Sequence, residues 1–156
     1  MKTDQSRIAP AAGTPVSRRQ EKQHWLVKQE PSDYGWPEFV RDGGTDWTGV
    51  RNYAARIHLR TMRTGDQVLF YHSGEGKAVV GLARVARPAF PDPTADEPGW
   101  VAVRLVPVRP LPVAVPLSVV KADPALQEIA LVRQGRLSVQ PLRPAEFARL
   151  LILGGL

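Results

Sequence analysis

The pattern of apolar and polar positions divides the chain at His24. Before it, Ile8 and Val16 stand alone among Pro, Ala, Gly, Ser, Thr and charged residues, too few to offset the entropy of ordering the segment. Residues 1–23 are therefore expected to be a disordered basic tail, plain or adding non-specific phosphate contacts, and they match an organellar transit peptide poorly. At Trp25-Leu26-Val27 the pattern becomes that of a short buried strand delivering Lys28, Gln29 and Glu30 to its end. Pro31-Ser32-Asp33 is turn chemistry, and residues 34–41 predict one short helix interrupted early by Pro37. Residues 42–46 read as a loop into Trp47. Tyr53 and Ile57, with Leu59 or Arg60, recur at helical spacing, which predicts a helix over 52–62 ending at Thr64-Gly65-Asp66, with Asn52 and Arg56 one turn apart on one face.

Residues 67–72 and 78–85 form a predicted hairpin across the glycine-rich connection 73–77. A further strand is expected over 100–108 after the loop Phe90-Pro91-Asp92-Pro93-Thr94, then a short helix from Pro116 to Lys121, a strand at Leu137-Ser138-Val139 and a closing helix over 144–151 with Pro144 in its first turn. Trp25 and Trp100 fall in strands and are expected in the core, whereas Trp47 is expected on a loop with its ring available for stacking. Tyr71 and His72 alternate, so one faces the core and the other outward or into a barrel mouth. Short strands with interspersed helices, and 15 prolines expected mostly between them, describe an α+β chain built as a small mixed barrel.

A length of 156 residues suits one domain, expected to be monomeric. No window approaches the roughly 20 continuous apolar residues of a membrane span. The absence of cysteine excludes disulfides, thiolate nucleophiles and cysteine-based metal sites. His24, His58 and His72 lack metal-ligand spacing, so neither metal nor other cofactor is expected. Gly74-Glu75-Gly76-Lys77 echoes a phosphate-binding loop, but Tyr71 and Ala78 stand where glycine and a hydroxyl residue are required. No nucleophile elbow occurs, and Asp33, Asp46 and Asp92 read as turn formers.

The formal charge of +6 and pI near 10.2 favour a polyanionic partner. Lys2, Arg7, Arg18, Arg19 and Lys22 against Asp4 and Glu21 put +3 of that charge in the first 23 residues, so the remainder is only mildly basic. Within it, Trp47-Thr48-Gly49-Val50-Arg51-Asn52-Tyr53-Ala54-Ala55-Arg56 combines a ring that can stack, an amide that can read a base edge and two guanidinium groups for phosphate.

These residues carry a family resemblance. Trp25-Leu26-Val27-Lys28-Gln29-Glu30-Pro31-Ser32-Asp33-Tyr34, then Trp47-x-Gly-Val-Arg-Asn-Tyr-x-Ala-Arg, Gly65-Asp66, Phe70-Tyr71-His72-Ser73 and Val80-Gly81 together resemble an EVE domain, with later segments extending the match from about His24 to the C-terminus. The resemblance implies a PUA-like mixed β-barrel with short flanking helices, related in shape to the YTH readers of methylated adenine. It further implies a non-catalytic reader of modified bases, particularly modified cytosine in DNA, that accepts a flipped base. Carried onto this chain, Trp47 would be the stacking wall, with Lys28, Ser32, Asn52, Tyr71, His72 and Ser73 lining the pocket. Arg51, Arg56 and Arg133 would contact phosphate or the rim. The competing expectations are an RNA-binding PUA-like module, an enzyme acting on a base or nucleotide with Asp33 or His72 as general acid or base, and a protein-interaction module. A bacterial chain would act in the cytoplasm and a eukaryotic one in the nucleus.

Overall fold

The computed structural model describes residues 22–156, so the expected tail lies almost entirely outside the described residues. Six strands, β1 (His24–Gln29), β2 (Thr45–Trp47), β3 (Gln67–His72), β4 (Ala78–Pro91), β5 (Val101–Pro116) and β6 (Val139–Leu142), form one sheet in the order β2-β5-β4-β3-β1-β6. β1 and β3 are parallel, with Trp25 beside Val68 and Lys28 beside Tyr71, and every other pairing is antiparallel.

Alternation along the two parallel strands builds two cores, because neighbouring side chains leave opposite faces. Trp25, Val27, Val68 and Phe70 join Trp36, Phe39 and Trp47 on one face. Leu26, Leu69 and Tyr71 join Val79, Leu111, Val120 and Phe147 on the other. The first core is a barrel interior. On a flat sheet β2 and β3 would lie about 14 Å apart, three strand spacings, yet the rings of Trp47 and Phe70 are 5.6 Å centroid to centroid. The sheet therefore curls until β2 faces β3, and α3 (Tyr53–Thr61) packs against β4, β5 and β6. This is the α+β barrel with short flanking helices that the sequence pattern and the resemblance imply.

Several expectations are corrected. Glycine at position 35 divides the first helical stretch into α1 (Pro31–Tyr34) and α2 (Trp36–Asp42). Its backbone N donates to Glu38 Oε1 at 2.8 Å, and Pro31 and Pro37 occupy first-turn positions where no N–H is needed. In α3 the inward face is Ala55 and Leu59, continued by Met62 beyond its end, while Tyr53 and Ile57 are 68% and 59% exposed. The prolines do not keep to the connections. Pro88 and Pro91 lie in β4, and Pro107, Pro110, Pro112 and Pro116 in β5, where the pairing register shifts repeatedly and the stretch beyond Val106 has no second neighbouring strand to satisfy. The helix after β5 is α4 (Leu117–Ala122), and the last elements are α5 (Ala130–Arg133), β6 and α6 (Pro144–Leu153). β6 begins two residues after the expected Leu137.

Asp66 fastens the start of the sheet. Its buried carboxylate accepts from Trp25 Nε1 at 3.0 Å, Gln23 N at 3.1 Å and Arg63 N at 2.9 Å, so one side chain joins the turn after α3 to the entry of β1.

Candidate nucleic-acid interface

The segment between β2 and α3 turns across one end of the barrel, and Asp92 at the end of β4 holds it there. Asp92 Oδ2 accepts from Gly49 N at 2.8 Å and Arg51 Nη1 at 2.9 Å, while Oδ1 accepts from Thr94 N and Oγ1 at 2.8 and 2.7 Å. Burial alone would raise the carboxyl pKa, but hydrogen bonds from Thr94, Arg51 and Gly49 outweigh it and hold the group well below the usual carboxylate range. Asn52 then caps α3, its Oδ1 accepting from Ala55 N at 2.9 Å, which leaves the side-chain NH2 as the group able to donate to a ligand.

This turn borders an open cavity of about 480 Å³ lined by Lys28, Gln29, Trp47, Thr48, Gly49, Val50, Arg51, Asn52 and Ser138. Trp47 belongs to strand β2 and is only 5% exposed, not a ring free on a loop. Its ring packs on Phe70 in the barrel interior and also forms part of the cavity wall. Of the expected pocket residues the cavity thus brings together Lys28, Asn52 and Trp47, with Arg51, expected at the rim, beside them.

The other expected pocket residues are not in this cavity. Tyr71 projects from the opposite face of the sheet to Trp47 and, with Ser73, lines a second cavity of about 290 Å³ that shares only Lys28 with the first. His72 leaves the strand on the barrel side, its Nε2 accepting from Trp36 N at 3.0 Å. Burial lowers its pKa, with Glu38 opposing, which suits the neutral ring this bond requires. Ser32 is exposed on α1 and lines neither cavity. Arg133 pairs with Glu128 at 3.5 Å and borders a larger cavity, about 750 Å³, beside α3 and α6.

Arg56 belongs to a stack that the sequence did not announce. Its guanidinium carbon lies 4.9 Å from the Tyr53 ring centroid and 4.7 Å from that of Trp100, and Arg51 approaches the same indole at 5.7 Å. Trp100 precedes β5 and is half-buried at the surface, so its assignment to the core is corrected. The signal available was its neighbourhood, since Pro98-Gly99 before it ends any periodic core pattern.

A further cavity, about 330 Å³, lies beside Asn52 and is lined by Ala54, Gln134, Gly135, Arg136 and Leu137. The three cavities that meet at Lys28, Asn52 and Gly135 carry Lys28, Arg51, Lys77, Lys121 and Arg136, and none has a carboxylate in its lining. Arg51 is paired with Asp92 behind the cavity, which leaves Lys28, Lys77, Lys121 and Arg136 as the cations of these linings without a paired carboxylate among the described residues, a field that suits a polyanion.

The EVE domain family model matches residues 23–153. The chain belongs to the EVE domain family. Chicken thymocyte nuclear protein 1 is 32% identical over 164 aligned residues, taking in 80% of this chain, which spans 65% of that protein's length. A crystal structure of a protein from Agrobacterium tumefaciens superimposes with a TM-score of 0.84 at 42% identity, covering 86% of this chain and 94% of that one. The structure of human THYN1 protein in complex with 5-methylcytosine containing DNA superimposes with a TM-score of 0.78 at 30% identity, covering 86% and 99%.

Proposed function

We propose that this EVE domain is a non-catalytic reader of modified bases in nucleic acid, holding one extruded base, a modified cytosine of DNA, in the cavity walled by Trp47. The observation that carries the reading is the convergence of an aromatic wall, the Asn52 amide and the Lys28 and Arg51 cations on one acid-free cavity. Its 480 Å³ falls within the several hundred Å³ usual for small-ligand sites. The relative solved with 5-methylcytosine DNA supports the same ligand class.

The energetics suit a reader of modest affinity. Extruding a base costs a few kcal/mol, and stacking on one ring returns about 1 to 3 kcal/mol, so edge contacts and backbone charge supply the rest. A methyl group in an apolar slot adds about 1 kcal/mol, roughly a fivefold preference. The absence of catalysis is supported by the groups that would have to act: Asp33 is exposed on α1, His72 is tied to Trp36 N, and Asp92 is committed to four hydrogen bonds. The domain would act where its nucleic acid lies, in the cytoplasm of a bacterium or the nucleus of a eukaryote.

The substitution Asn52→Asp tests the reading, because aspartate caps a helix as well as asparagine does but brings a negative charge to the cavity. The variant is expected to keep the thermal stability of the parent and to lose at least tenfold in affinity for a 5-methylcytosine oligonucleotide. Unchanged affinity would remove the cavity from consideration.

A further inference from the structure

The second cavity contains a polar group that folding does not use. Tyr71 is only 2% exposed, yet among the described residues its hydroxyl has no hydrogen-bond partner, and it lines the 290 Å³ cavity. The hydroxyl is not sealed away, since the buried side-chain polar atoms without a partner among the described residues are Arg56 Nε and Gln140 Oε1; it opens to the cavity, where an acceptor can reach it. The same cavity is lined by three lysines from separate elements: Lys28 from the end of β1, Lys77 from the turn before β4 and Lys121 from α4. Ser73 adds a second hydroxyl. Lys28 leans over the Tyr71 ring at 5.9 Å and donates to Gly135 O, and burial lowers its pKa. No carboxylate lines the cavity; Glu30 lies against Gly74, outside it.

Like charges gathered beside an unpaired donor are unfavourable until an anion joins them, and oxygen acceptors of −1 to −2 charge satisfy all the donors at once. The remaining lining includes the apolar side chains of Leu117, Leu131 and Val132. A phosphate next to a sugar ring matches both halves.

We infer that the cavity of Tyr71, Ser73, Lys28, Lys77 and Lys121 is a separate phosphate subsite, which binds a backbone sugar-phosphate of the nucleic acid whose extruded base occupies the neighbouring cavity. Lys28 is the common wall, so base and phosphate are gripped from its two sides. The inference rests on the reader function proposed above, and it divides the work between two cavities: the one at Trp47 sets base preference, and the one at Tyr71 sets affinity without regard to base.

The test is a salt titration of matched oligonucleotides, with and without 5-methylcytosine, on the parent, Tyr71→Phe, and the double variant Lys77→Gln with Lys121→Gln. Both lysines are exposed and Phe is isosteric with Tyr, so folding is retained. Losing one phosphate contact lowers the magnitude of the slope of log K against log salt by about 0.7 to 0.9, which near 0.1 M salt is roughly a tenfold loss in affinity. That change is expected in the double variant for both oligonucleotides alike, with the methyl preference intact, and Tyr71→Phe is expected to lose several-fold at an unchanged preference. A parental slope and affinity in the double variant would overturn the phosphate subsite while leaving the reader function standing. A parent that lacks methyl preference but shows the slope change would do the reverse. An arm with inorganic phosphate at matched ionic strength separates the sources: if it perturbs the resonances around Tyr71 while the oligonucleotide slope is unchanged in the variants, the cavity serves free phosphate and the backbone assignment fails.

Discussion

Arg51 and Asp92 are joined at 2.9 Å across 41 residues of chain, and the same carboxylate oxygen holds the backbone of Gly49. The pair fixes the turn that carries the candidate reading surface, which makes Asp92 a positioning residue two elements away from the cavity it shapes. Asp92→Ala would strand donors that are partly buried, and is expected to cost about 2 to 3 kcal/mol in urea unfolding. Oligonucleotide affinity should fall as well, beyond what Arg51→Ala alone removes, because Gly49 and Asn52 lose their fixed placement. Because the folded carboxyl titrates below its unfolded value, its contribution is fully present above about pH 4 and declines as pH falls toward the folded pKa.

Gly81 is required by packing, not by its backbone dihedral. A Cβ built there would meet Trp36 ring carbons at 2.4 to 2.5 Å, and that ring sits edge-on to Phe39 and Phe70 at 5.4 Å each. Gly81→Ala is therefore expected to lower stability by about 1 to 3 kcal/mol, read from chemical unfolding. A neutral result would mean that Trp36 can move without cost.

All three histidines have pKa values lowered chiefly by burial. Unfolding then takes up protons below about pH 6.5, so each histidine's contribution is present above that value and lost as pH falls through the folded pKa. Unfolding midpoints in urea should be lower at pH 5.5 than at pH 7.5, and His72→Gln should reduce the difference. Identical midpoints at the two pH values would contradict the burial that the structure assigns.

The rings of Tyr53 and Trp100 lie 5.2 Å apart and Arg56 rests against both, and such exposed cation–π contacts are worth about 0.5 to 1 kcal/mol each. Trp100→Ala should weaken methylated and unmethylated oligonucleotides equally, several-fold at low salt, by releasing Arg56 from its place against the rings, while Arg51 stays held by Asp92. A selective loss for the methylated strand would assign Trp100 to base recognition instead.

Much of this arrangement is written in the residues. β1, β3 and the start of β4 carry continuous apolar runs, and Pro144 marks the start of α6. Their register is not visible in one sequence, because the parallel pairing of β1 with β3 is formed across two helices, β2 and α3. Trp47 reads as a loop residue for a physical reason: Gly43-Gly44 breaks the local pattern, and only antiparallel pairing with Val103 makes a three-residue strand there. The candidate pocket residues are legible as types but not as a group. Tyr71 and Trp47 lie on opposite faces of a curled sheet, and no local spacing encodes that separation. Likewise Trp47→Ala is a poor test of stacking, since a 5% exposed core ring removed entirely costs about 3 to 5 kcal/mol of stability.

The most direct test of the central claim is the affinity of the domain for oligonucleotides that differ only in one cytosine, unmodified, methylated or hydroxymethylated, at low and moderate salt. A base held in the Trp47 cavity predicts that total affinity falls with salt while the preference for a modified cytosine, about threefold to tenfold, stays constant. Equal affinities that vanish together as salt is added would contradict it, leaving a cationic surface without a reading pocket.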